Sequence, residues 1–296
     1  MGIGDPPAVA RRRIRLALRK AREGRGLTQS QVAEAMEWSL SKVMRIENGE
    51  VSVSPTDLRA LLPYLGFADD AEVEQLFVDA RAARRQRWTI DPVHREHLSV
   101  GLQQLMQFEQ EATAIRYFSP GLIPGLVQTP EYSAEMFRLN ATGLSDATIE
   151  VRIGVRVERR KRLFSRPVPP DYLVVLDESV LYREIGGPGV MANQLFELLK
   201  TMEETNVTIR VLPFTAAAPI ALLGPFLILD MDHDQGTILY REGPSSDEII
   251  TSGRELGRHR EIFERLWLLS HDEPTSARVI RERAETMLAH ISDVDD

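Results

Sequence analysis

The sequence predicts an α+β protein in two parts: an N-terminal all-α domain of about five helices, then an α+β domain with a small sheet framed by helices. Three observations carry this. Residues 27–49 read as two short capped helices joined by a tight turn. Beyond residue 164 the apolar spacing changes from helical to short β-branched and aromatic runs. Charge also divides along the chain: the whole carries −8, yet residues 1–66 hold eleven Lys/Arg against seven Asp/Glu, a net of +4, which leaves −12 to the remainder. At 296 residues with 43% hydrophobic content, two cores are affordable.

Residues 1–8, with Pro6-Pro7, are expected as a disordered tail. A first helix should run from about Val9 to Gly24, its apolar positions Ile14, Leu16, Ala17 and Leu18 set among seven basic residues that read as a solvated or phosphate-touching face. Thr28 is an N-cap for a helix over Gln29–Met36, and Ser39 for one over Leu40–Glu47, with Asn48-Gly49 as the stop. Val32/Met36 and Val43/Ile46 give each helix one apolar stripe, and Ala33 lets the two backbones approach. This is the pattern of a helix-turn-helix, whose second helix enters the major groove. Its exposed positions are Leu40, Ser41, Lys42 and Arg45. Ser54-Pro55-Thr56-Asp57 starts a helix to about Leu65, stopped by Gly66, and another from about Asp70 to Arg87 closes the domain at 9–87.

The second domain is expected over 88–292. Residues 92–116 read as a helix, followed by a loop, SPGLIPGLVQTPEY, too rich in Pro and Gly for a regular element. Helices are expected from Thr129-Pro130 to Leu139, from Ser145 to Phe164, from Val190 to Glu204, from Arg254 to Ser270 and from Thr275 to Ile291. Strands are expected at Tyr172–Leu176, Val207–Leu212, Phe226–Leu229 and Thr237–Tyr240.

Composition excludes several functions. There is no cysteine, hence no disulfide, thiolate zinc site or cysteine nucleophile, which suits the cytoplasm. No apolar run of membrane-spanning length and no apolar leader is present, so neither membrane nor export is implied. Asp230 to Gly236 resembles a calcium loop in its acids, but an EF-hand would need Gly where Gln235 stands and Glu where Arg241 stands, so a polar hairpin turn is expected. His94 and His97 share a face without a third ligand in sequence. Asp177-Glu178 has no nucleophile or phosphate loop beside it, and Gly186-Gly187-Pro188-Gly189 reads as a turn before a helix. Neither cofactor nor metal is implied, and an enzyme with a DNA-targeting module is the remote alternative.

Residues 27–49 resemble the phage-repressor-like (Xre/Cro-type) DNA-binding domains, through Thr28-Gln29 opening one helix and Ile46-Glu47-Asn48-Gly49 closing the next. One departure is Glu37, at a turn position those domains often fill with Gly. The resemblance implies double-stranded DNA as partner, with Gln29 near phosphate, Ser39, Leu40, Ser41 and Arg45 near base edges, and Lys42 at base or phosphate. The second domain is similar to that of WhiJ-like regulators, through residues 123–129, Glu131-Tyr132, Arg156, Arg159, Leu176-Asp177-Glu178, Gln194-Leu195, Val211-Leu212-Pro213, Gly224-Pro225-Phe226 and Tyr240-Arg241-Glu242. It departs after Pro213, where FTAAAPIALLG replaces a Gly/His-containing segment. The expected function is a sequence-specific transcription regulator whose second domain senses a ligand or small protein partner and forms a homodimer, since a lone helix-turn-helix usually pairs two half-sites; the alternative that the resemblance implies is an antitoxin-like interaction protein controlled by a small partner protein encoded nearby. Leu122, Ile123 and Leu126 in the loop, with Arg152, Arg156 and Arg159 on one helix face, are the candidate surface for a ligand or a small acidic protein partner. The competing reading has the loop plug the domain's own core.

Overall fold

In a computed structural model the chain divides into two units, residues 1–90 and 91–296. The structure describes residues 6–48, 51–84, 96–140, 144–216, 224–231, 236–243, 247–251 and 253–292. The expected disordered tail and the readings on Gly49, Trp88, His94, most of 216–223 and the acidic turn 232–235 lie wholly or mainly outside them.

The first unit is built from α1 (Pro7–Gly24), α2 (Gln29–Ala35), α3 (Leu40–Glu47), α4 (Pro55–Tyr64) and α5 (Asp70–Ala83). Each start is written in sequence. The hydroxyl of Thr28 accepts from the Gln31 N–H and the Gln31 side chain returns to the Thr28 N–H, a capping box; Ser39, Ser54 and Asp69 cap α3, α4 and α5. Three helices end alike. After α1, α2 and α4 the residue beyond the cap adopts positive φ: Gly26 at 66°, Glu37 at 55° and Gly66 at 83°. The next N–H reaches back to close a Schellman turn, Leu27 to Arg22, Trp38 to Ala33 and Phe67 to Leu62. Two of the three use glycine, and the turn of the helix-turn-helix does not. Ile14, Leu18, Val32, Ala33, Val43, Ile46, Leu58, Leu61 and Leu62 form the core.

The expected basic face of α1 is largely turned inwards. Arg12 and Arg15 are buried, and burial, reinforced by Arg15, lowers Arg12 to about 10. Arg13 pairs with buried Asp79 of α5 at 3.0 Å, and Arg15 donates to the Asn48 carbonyl.

The second unit holds one mixed six-stranded sheet in the order β3-β2-β1-β4-β5-β6. The strands are β1 (Ala112–Ser119), β2 (Asp171–Asp177), β3 (Val207–Leu212), β4 (Phe226–Met231), β5 (Thr237–Arg241) and β6 (Glu248–Ile250). β1, β2 and β3 run parallel, while β4, β5 and β6 alternate. The helices are α6 (Val100–Glu109), α7 (Pro130–Asn140), α8 (Asp146–Phe164), α9 (Gly187–Thr201), α10 (Arg254–Leu269) and α11 (Glu273–Ser292).

Two strands correct the sequence reading. Residues 112–116, expected as helix, open the central strand, and 248–250 form a short edge strand. The first error has a physical source. Ala112, Ile115 and Phe118 are the fully buried positions of β1, three apart, because both of its faces are covered; this spacing imitates a helical stripe. β6, at three residues, is too short to show alternation.

On one face Phe263 and Leu266 of α10 pack over Phe118, Val175, Leu212, Phe226, Ile228 and Leu239. At the β3 edge, Val211 donates its N–H to the Ser276 hydroxyl and accepts from the His271 N–H, both at 2.9 Å, so that part of the edge is satisfied by the segment joining α10 to α11.

Candidate functional site

In the first unit the helix-turn-helix is held by one carboxylate. Glu47, 8% exposed, takes Arg22 Nε at 2.6 Å and Arg22 Nη2 at 3.0 Å from α1, and Gln29 Nε2 at 2.8 Å from the start of α2. Arg22 also donates to the Leu27 carbonyl. The Glu of the closing Ile-Glu-x-Gly signature thus ties α1, α2 and α3 together, and the Gln of the opening Thr-Gln pair is one of its donors. Gln29, expected at phosphate, spends its side-chain nitrogen inside the protein.

Val43, Ile46 and Glu47 face inwards from α3, and what remains outward is a stripe at helical spacing: Leu40, Ser41, Met44, Arg45 and Asn48. Leu40 and Met44 are each 43% exposed, so the stripe carries two large apolar side chains beside Ser41 and Arg45. Met44 was not among the expected site residues, though its place three beyond Ser41 puts it on the same face. Ser39 is committed as the N-cap, its hydroxyl accepting from the Lys42 N–H at 3.2 Å. Lys42, expected at base or phosphate, has its ammonium 3.7 Å over the Trp38 ring and 3.1 Å from Asp57 of α4.

In the second unit the loop between β1 and α7 belongs to the core. Ile123, Leu126 and Val127 are buried and Leu122 is half-buried. The loop is stapled by polar side chains. Gln194 of α9, fully buried, accepts from the Thr129 N–H at 2.7 Å and donates to the Val127 carbonyl at 2.8 Å. Tyr132 accepts from the Ile123 N–H, and Gln128 donates to the Ile123 carbonyl.

The expected arginine face closes this network rather than facing a partner. Arg152 donates to the His97 carbonyl. Arg156 donates to Gln128 and Ser133 and covers the Phe137 ring; burial and then Arg159 lower it to about 10. Arg159 makes a two-pronged pair with Glu109 of α6, its Nε 2.6 Å from the carboxylate, the two side chains 12% and 2% exposed. Burial works against the Arg159 charge, but the field and hydrogen bonds of Glu109 outweigh it and hold the guanidinium protonated. Around this pair, burial raises the phenols of Tyr117, Tyr172 and Tyr240, so all three stay neutral. Leu122, Ile123, Leu126, Arg152, Arg156 and Arg159 therefore do come together, as internal structure and not as an open docking surface.

Residues 102–282 match the family described as a domain of unknown function (DUF5753), and residues 13–76 match a helix-turn-helix domain. The chain belongs to the DUF5753 family. No curated protein and no solved structure matches it. The DUF5753 match covers the loop, the three arginines and the strands, and the helix-turn-helix match takes in α2 and α3 with their Glu47 tie. Among the described residues no group of three His, Asp or Glu is placed to hold a metal, and no helix is long and apolar enough to cross a membrane.

Proposed function

We propose that this DUF5753 protein is a sequence-specific transcription regulator of the Xre type, close in kind to the WhiJ-like regulators. Residues 9–87 read double-stranded DNA, and residues 88–292 form a cytoplasmic dimerisation and regulatory domain. The observation that carries the reading is the outward stripe of α3. A helix capped at Ser39 and anchored through Glu47 to two other helices presents Leu40, Ser41, Met44 and Arg45 to solvent, on a domain with a net positive sequence. In this reading Arg45 meets guanine, Leu40 and Met44 meet thymine methyl groups, and Ser41 meets either. Gln29 reaches phosphate through its backbone N–H, because its side chain is engaged by Glu47.

The test is selection of bound sequences from random duplex DNA with the full-length protein. A single enriched motif that Arg45→Ala relaxes at one or two base pairs is the expected result. Enrichment of no motif, or an unchanged motif with the variant, refutes the assignment of α3.

A further inference from the structure

A cavity of about 590 Å³ opens at the edge of the sheet where β1 and β5 end. Phe226 opens β4 opposite Phe118 near the carboxyl end of β1, and Arg241 closes β5 beside it. The floor is apolar, from Pro225, Phe226 and Ile262. The wall is the first two turns of α10.

The charges around it are unequally spent. Arg241 is taken up by Glu248 and by Glu255, the latter at 2.6 Å. Glu242 lies in the field of Arg156 and Tyr117. Arg254 and Arg258, one helical turn apart, are exposed and make no ion pair or side-chain hydrogen bond among the described residues. They flank the start of α10, where Gly253 supplies no side-chain cap. His259 adds an independent observation. It is 8% exposed, its Nδ1 is 2.9 Å from the Glu255 carbonyl, and its ring stands edge-on to Phe226 at 5.1 Å. Its Nε2, on a side chain lining the cavity, has no partner among the described residues. A ring more than nine-tenths buried, with one nitrogen that no described protein group pairs, and two guanidinium groups without an ion pair are thus gathered around an apolar floor.

We propose that this cavity binds an organic anion: a carboxylate or phosphate held by Arg254, Arg258 and the start of α10, on an apolar body lying over Phe226 and Ile262, with His259 Nε2 completing the polar contacts. Its role as the effector of DNA binding rests on the regulator reading above; the site itself does not.

The experiment uses full-length protein and three probes in ligand-observed NMR: 3-phenylpropionate, the neutral 3-phenylpropan-1-ol and inorganic phosphate. A fragment the size of 3-phenylpropionate should bind at roughly millimolar concentration. The alcohol and bare phosphate should each bind at least about tenfold more weakly, having lost one half of the recognition. Arg254→Gln with Arg258→Gln, both on exposed side chains, should weaken 3-phenylpropionate by about tenfold or more and leave the melting temperature unchanged. Phe226→Leu should weaken it through the floor. Equal binding of acid and alcohol, equal binding of acid and phosphate, no binding of the acid, or unchanged binding by the double variant overturns the site. Separately, saturating acid should shift affinity for the selected operator. Binding without such a shift removes the effector role and keeps the site; absence of any DNA binding removes the regulator reading and leaves the ligand result intact.

Discussion

Replacing Arg159 by Met tests whether the arginines of α8 are structural. The side chain is 12% exposed and its partner Glu109 is 2% exposed, so the substitution strands a carboxylate in a nearly closed site ringed by tyrosines. Removing one member of such a buried pair costs about 3–5 kcal/mol. In a unit of some two hundred residues each kcal/mol lowers Tm by about 2–4 °C, so a drop of roughly 6–20 °C is expected. The companion variant removes both charges, Glu109→Leu with Arg159→Met. It should recover most of the loss, to within about 2 kcal/mol of the parent, because no charge is then left unpaired. The assay is urea unfolding followed by circular dichroism, with the two single variants and the double forming a cycle. A single variant that loses less than about 1 kcal/mol, or a double variant as unstable as the sum of the singles, would show that the pair is not what holds α8 to α6.

Further outcomes follow from the first unit and from assembly. Glu37→Gly should stabilise it by about 0.5–1 kcal/mol, since relief of the left-handed backbone at φ 55° exceeds the entropy glycine adds to the unfolded chain; a lower Tm would contradict this. Arg45→Ala should cost about 1–3 kcal/mol on the selected operator and little on random DNA, measured by fluorescence anisotropy; equal losses on both would demote Arg45 to a phosphate contact. Asp57→Asn should release Lys42, raising DNA affinity and steepening its salt dependence by about one counterion, and an unchanged salt slope would place Lys42 off the DNA. Light scattering should find a homodimer, with a monomer both free and on DNA as the refuting result.

What could be read from sequence was what is local. Thr28, Ser39 and Ser54 announce their helices because a cap needs only the next three residues, and the stripes of α2 and α3 need only the next turn. Glu37 was visible as a strained turn because its place in the motif demands positive φ. Long-range chemistry was not visible. Arg159 and Glu109 are fifty residues apart, and nothing near either shows that they meet; the helical spacing of Arg152, Arg156 and Arg159 is the same whether the face looks out or in. Likewise Lys42 meets Asp57 only once α4 has folded back, and β1 hid behind a period of three that burial on both faces produces. The family resemblance picked out Gln128, Tyr132, Arg156 and Gln194, and their shared hydrogen bonds explain why those residue types belong together.

The position of β1 also bears on how the chain is made. It is the first strand synthesised and the middle strand of the finished sheet, with β2 arriving at Asp171 and β4 only at Phe226. At about 5–20 residues per second, the roughly one hundred residues between Ser119 and Phe226 take on the order of 5–20 s to emerge. Throughout that window one edge of β1, with Ile115, Tyr117 and Phe118 on it, has no strand to pair with. The five helices of the first unit all precede it, close on one another and need not wait. A ribosome stalled or a message cut before codon 226 would therefore release a folded helical head attached to a bare, apolar strand edge. Such a product invites aggregation or chaperone capture, and pulse-labelled nascent chains arrested on either side of that codon would show the change.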